Sequence, residues 1–213
     1  MIAVEPDTRS PEKRSSRPAL EIRFHFVDGS SKTFIQPDAE AAEVIRQRAN
    51  SSNLFHQSRI VVADDYSKSV FVCAQVNRVD LVFNGSGHSR IPPDHLDLVE
   101  LTEAEFHQCV PVNDPDLLPR REHPRQVGDL LVSFLDLRMR GGSHVYLMNE
   151  TVVKLPAESQ SFMQRLLSKG KYGIRLREGG HGLLNLQNLI GYTVYPGVPE
   201  LPSDTWIVLP KAM

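Results

Sequence analysis

Cysteine is scarce in this chain. Its 213 residues hold two, Cys73 and Cys109, and neither belongs to a Cys-x-x-Cys pair. Zinc-ribbon and dithiol redox chemistry therefore lack their ligands. Cys73 closes the apolar run that begins at Val70 and reads as a small core residue. Long hydrophobic runs are missing as well, and no window approaches the roughly 18 consecutive apolar residues of a membrane span. Met1 to Pro18 is polar and charged, without the apolar stretch of a signal peptide. No membrane is expected, and the expected compartment is cytoplasmic. The Asn-x-Ser/Thr triplets at Asn50, Asn84 and Asn149 then carry no glycosylation meaning.

An excess of one charge is also absent. The formal net charge is −2, which gives no global drive toward nucleic acid, so a nucleic-acid partner is not expected. The balance is uneven along the chain, however. Residues 1–115 carry 12 basic against 17 acidic side chains, and residues 116–213 carry 12 against 9. Charged residues at 23% and hydrophobic residues at 40% are those of a chain that buries a core.

Motifs for chemistry are the third absence. No Gly-x-Ser-x-Gly elbow exposes a serine; Ser86, within Asn84-Gly85-Ser86-Gly87, comes nearest, and no helical pattern follows it. Gly179-Gly180-His181-Gly182 has the glycine content of a phosphate cradle. Such cradles need a following helix N-terminus, and Leu183 to Leu186 reads as a strand instead. A glycine-rich hairpin turn is the better reading. His88, His95, His107 and His123 fall in one connecting region, but His107-x-Cys109 supplies only two of the ligands a zinc site needs. The carboxylates do not cluster. Neither a catalytic residue, a metal site nor a cofactor is expected.

What is present is secondary-structure grammar, written twice. Ile22, Phe24 and Phe26 alternate with Arg23 and His25, which predicts a half-buried strand over 20–27. Asp28-Gly29-Ser30 turns the chain into a second strand over 32–36. Pro37 opens a helix whose stripe is Ala41, Val44, Ile45 and Ala49. A short strand at 59–63, an acidic turn and a long strand region at 69–83 follow, with a bend expected around Val76 to Arg78. From Leu130 the order recurs: strand 130–138, a glycine turn, strand 144–148, and a turn at Asn149-Glu150 before 151–155. A helix opens at Pro156, then come strand 172–177, the glycine turn 178–182 and a strand region 183–194. Val76-Asn77-Arg78-Val79 reads against Gln187-Asn188-Leu189-Ile190.

The expected fold is α+β: two similar ββαββ-like units with mainly antiparallel sheets, each covered by one helix, from an internal duplication. Residues 1–18 are expected to be a disordered tail, 19–91 the first unit, 92–128 a Pro-rich connecting segment with a short helix, and 129–213 the second unit. Thr102-Glu103-Ala104-Glu105 has capping-box spacing, which places that short helix.

One cluster merits a functional reading. Lys169, Lys171, Arg175, Arg177 and His181 form a basic strip that could take an anion, since arginine forks match phosphate and carboxylate geometry. The ordinary explanation competes with it: lysine near a helix C-terminus is favoured by the dipole, and charge on an exposed strand prevents edge pairing. The sequence itself supports a non-enzymatic binding or scaffold protein, with a protein partner or self-association. The alternative is an enzyme with an unfamiliar site at the junction of the two units.

Overall fold

The computed structural model describes residues 19–51, 53–64, 66–83, 98–110, 130–152, 170–195 and residue 206. The expected N-terminal tail, the helix at Pro156, Lys169, and the histidines at 88, 95 and 123 lie outside these residues. The described part is sheet-dominated α+β, with two α-helices and a large, mostly antiparallel sheet.

Strand β1 (Leu20–Phe26) alternates buried and half-exposed residues along most of its length, as its apolar-polar sequence dictates. The Asp28-Gly29-Ser30 turn, with Gly29 at φ 83, returns the chain as β2 (Ser31–Gln36). Helix α1 (Ala39–Asn50) starts two residues after Pro37, because Asp38 is its cap and accepts from the Ala41 amide. Next come the hairpin β3 (Arg59–Ala63) and β4 (Lys68–Val72), a 3-10 turn at Cys73–Gln75, and β5 (Val76–Phe83). The bend expected at Val76 to Arg78 is thus a break three residues earlier, followed by a register shift where β5 meets β1.

Strand β6 (Leu98–Leu101) was not anticipated. It lies in the proline-punctuated connecting segment and pairs antiparallel with β8 and parallel with β9. Helix α2 (Glu103–Cys109) carries the predicted capping box. The Thr102 hydroxyl accepts from the Glu105 amide at 3.2 Å, and the Glu105 carboxylate accepts from the Thr102 amide at 2.9 Å. Thr102→Ala is expected to cost about 1 kcal/mol through loss of this cap. Faster hydrogen exchange at the α2 amides, with the sheet amides unchanged, would report it.

The second half comprises β7 (Leu130–Met139), β8 (His144–Val152), β9 (Lys171–Arg175), β10 (His181–Asn185), a 3-10 turn at Leu186–Asn188 and β11 (Leu189–Tyr195). The expected turn at Asn149-Glu150 does not form. Both residues continue β8 opposite Ser133 and Val132 of β7, so the ladder outweighs their turn preference. The expected strand 183–194 is divided by its 3-10 turn, as 69–83 is.

The two halves do not keep separate sheets. One nine-stranded sheet runs β11-β7-β8-β6-β9-β10-β5-β1-β2, while β3 and β4 form a sheet of their own. Two cores result. The first gathers Leu20, Ile22, Phe24, Phe55, Val76, Val79 and Leu81; the second gathers Leu98, Leu135, Leu137, Met139, Leu147, Ile174 and Leu176. Each also takes a residue from the other half: Leu183 of β10 enters the first core and Val82 of β5 the second. Leu184, next to Leu183, belongs to the second. Successive strand residues point to opposite faces, so β10 is covered on both sides, and all five of its residues are buried.

Backbone hydrogen bonds recur along the chain at a constant spacing of 113 positions. Phe26 donates to the Ser30 carbonyl and Gly29 to that of Phe26; Met139 donates to Ser143 and Gly142 to Met139. Val27 donates to Gln75, and Arg140 donates to Asn188. Strand β5 pairs with β1 through a register shift after the Phe26–Val76 pair, and β11 pairs with β7 through one after the Met139–Leu189 pair. This register aligns Val76 with Leu189, two positions from the textual match that the sequence suggested. That match followed the shared asparagine, Asn77 against Asn188, whereas the bonding follows the 3-10 turns.

Candidate functional site

The basic strip is placed as follows. Alternation holds, with Ile174 and Leu176 buried and Arg175 and Arg177 exposed. The cations do not converge. The Lys171 ammonium donates to the carbonyls of Ala49 at 3.0 Å and Ser51 at 2.8 Å, at the C-terminal end of α1. Burial pulls its pKa down to about 8, and those two acceptors, at the negative end of the helix dipole, favour the charged form. The Arg177 guanidinium donates to Glu105 at 2.7 Å, within the α2 capping box. His181 is fully buried and its ring stacks near Phe83, with centroids 5.9 Å apart. Arg175 lies opposite it in the ladder and is exposed.

A different set of charges does come together, on the sheet face opposite the first core. The Arg78 guanidinium grips both oxygens of Glu100, at 2.5 and 2.9 Å, and its Nε donates to Asp80 Oδ1 at 2.5 Å. The other Asp80 oxygen lies 2.8 Å from His25 Nε2. One strand over, Arg23 Nε donates to Glu21 at 2.5 Å, and both terminal nitrogens of Arg23 engage Glu178 in the β9–β10 turn. Burial alone would raise the Asp80 pKa. The His25 hydrogen bond and the Arg78 charge more than reverse this and hold the carboxyl below its ordinary value. Burial likewise opposes the charge of Arg78, but the Glu100 hydrogen bond and the charge of Asp80 keep it firmly protonated. Gly182 stands opposite Asp80 in the ladder, and a Cβ there would lie 2.7 Å from Asp80 Oδ1. The missing side chain is what gives the carboxylate its room.

The junction between the halves completes the arrangement. Strand β10 pairs antiparallel with β5, from His181 opposite Leu81 to Leu184 opposite Arg78. Two buried asparagines lock its end. Asn185 donates to the carbonyls of Cys73 at 3.1 Å and Val76 at 2.9 Å, and Asn188 donates to those of Ala74 at 3.2 Å and Val76 at 3.0 Å. From β5, Asn77 donates back to the Arg140 carbonyl at 2.8 Å.

The sequence missed the charged band because its members are scattered from position 21 to 178. A local signal existed in Arg78 and Asp80, two charges within a strand that is otherwise apolar except for Asn77. Among the described residues, no group of three or more His, Cys, Asp or Glu side chains has the geometry to hold a metal ion. No described helix is long and apolar enough to cross a membrane. No family model, curated protein or solved structure matches this chain.

Proposed function

We propose that this chain is a non-enzymatic binding or scaffold protein, built from two duplicated α+β units that join edge to edge. The observation that carries this reading is the composition of the junction. A four-pair ladder, two leucines and three amide latches occupy the place where an enzyme built from two units would open its cleft. The ionisable groups nearby are spent on one another: Asp80 holds Arg78 and His25, and Arg78 holds Glu100. The duplication is supported by the constant spacing of turns, register shifts and 3-10 turns. Anion binding at the basic strip is the weaker reading, because Lys171 and Arg177 already hold carbonyls and a carboxylate.

Turnover assays decide between scaffold and enzyme. Purified protein offered ester, phosphate-ester and peptide substrates is expected to give no turnover. Asn188→Ala is expected to lower the midpoint of a single unfolding transition, at a cost of about 1–3 kcal/mol for the bond lost at the Ala74 carbonyl, while Val76 keeps its bond from Asn185. Turnover that disappears in Asp80→Asn would overturn the scaffold reading in favour of a junction active site.

A further inference from the structure

The geometry points to head-to-tail self-association, in which the β4 edge of one copy pairs antiparallel with the β11 edge of the next. This rests on the duplicated-unit reading. Within the chain, the second half presents β10 to the outer edge of β5. At the spacing of 113 positions, β10 corresponds to β4 and β5 to β11. Among the described residues, nothing pairs with the outer edge of either β4 or β11. Each chain therefore carries, on the edges of its two sheets, the two halves of a joint it already makes once inside itself.

Burial at corresponding positions supports the joint. Leu184 lies in its own unit's core, and its counterpart Phe71 packs against its own. Leu183 reaches into the neighbouring unit's core and is fully buried; its counterpart Val70 is 56% exposed. Val72, the counterpart of Asn185, is 55% exposed. On the other edge Ile190, the counterpart of buried Asn77, is 65% exposed. These β-branched side chains line edges that a strand of matching register would cover, and uncovered apolar edges of this kind invite pairing. The register is fixed by the internal joint: Lys68 opposite Val194, Ser69 opposite Thr193, Val70 opposite Tyr192 and Phe71 opposite Gly191. In that register Val70 meets Tyr192, which packs against the second core, as Leu183 meets Val79.

Charge does not oppose the joint. Of the two strands, β4 carries a single charge, Lys68, and β11 carries none, so no like charges face each other across it. The interface joins two different patches, and repetition therefore yields either a closed ring or an open filament.

Sedimentation and light scattering of the full chain across a range of concentrations test the proposal. Mass at a multiple of one chain is expected. Val70→Asp changes an exposed side chain and is expected to keep the wild-type melting temperature while weakening association about 100-fold, since it places an unpaired carboxylate against the partner's core. The paired Cα atoms of an antiparallel ladder lie within disulfide range. Ser69→Cys with Thr193→Cys, in a Cys109→Ser background, is therefore expected to cross-link between chains under oxidation, while either cysteine alone is not. This double variant keeps the test decisive if Val70→Asp fails to fold. A monomer at every concentration would overturn the inference, as would an oligomer that neither responds to Val70→Asp nor cross-links. A monomer without turnover would leave the scaffold reading standing, whereas Asp80-dependent turnover in an oligomer would sink that reading alone.

Discussion

Asp80→Ala is expected to lower the free energy of unfolding by about 3–5 kcal/mol, the usual cost of removing one partner from a buried charge network. The aspartate is 2% exposed and sits between Arg78 and His25, so its loss leaves Arg78 with Glu100 alone inside the protein. Asp80→Asn keeps the shape and can still bond to both neighbours, so a smaller loss is expected from it. The pH dependence has a definite sign. The folded pKa lies below the unfolded one, so the carboxylate contributes stability in full above the ordinary aspartate value of about 4. That contribution is lost as the pH falls through this value toward the folded pKa. Denaturant titrations at pH 7 and at pH 3 would measure both effects. The wild type should lose more stability across this interval than Asp80→Asn does. A change below 1 kcal/mol for Asp80→Ala at pH 7 would show that the band is solvated surface.

The second large effect is expected at Gly180, and its neighbour supplies the control. Gly179 and Gly180 both have positive φ, 96° and 89°, in the β9–β10 turn. A Cβ on Gly179 would meet nothing within 4 Å, whereas one on Gly180 would lie 2.1 Å from the Leu81 carbonyl oxygen and 2.9 Å from the Val82 Cα. Gly179→Ala therefore reports backbone strain alone, about 1–2 kcal/mol. Gly180→Ala adds a collision with β5, which can be relieved only by backing β10 off its partner strand. We expect it to cost at least about 2 kcal/mol beyond Gly179→Ala, as overpacking at a rigid backbone does. Because the clash falls on the β5–β10 joint, amide exchange in both strands should accelerate together. Equal stabilities for the two alanine variants would contradict the close approach of this turn to β5.

Several elements were legible because their causes are local. The alternation of Ile22, Phe24 and Phe26, the glycine turn at Gly29, the cap of α2 and the strand at Arg59–Ala63 each follow from a few adjacent residues. The break in 69–83 was visible but misplaced. Asn77 and Arg78 interrupt the hydrophobic alternation, whereas the chain bends at Cys73–Gln75, whose carbonyls receive the distant Asn185 and Asn188 amides. The β6 strand went unread because four residues among prolines carry too short a period to signal a strand, and its partners β8 and β9 are remote in sequence.

The sequence by itself determined the elements with local causes, among them β1, the Gly29 turn and the capped helix α2, since propensity, alternation and capping act over a few residues. It also determined that Arg78 and Asp80 put charge into a strand rich in valine and leucine. Only the tertiary structure decided that the two halves share one sheet, that Leu183 belongs to the first core, and that four carboxylates share the opposite face with Arg23 and Arg78. Strand pairing carries no local spelling: any half-apolar edge can bond to any other through its backbone. The choice between them is made by which side chains both faces can bury, and that depends on residues a hundred positions away.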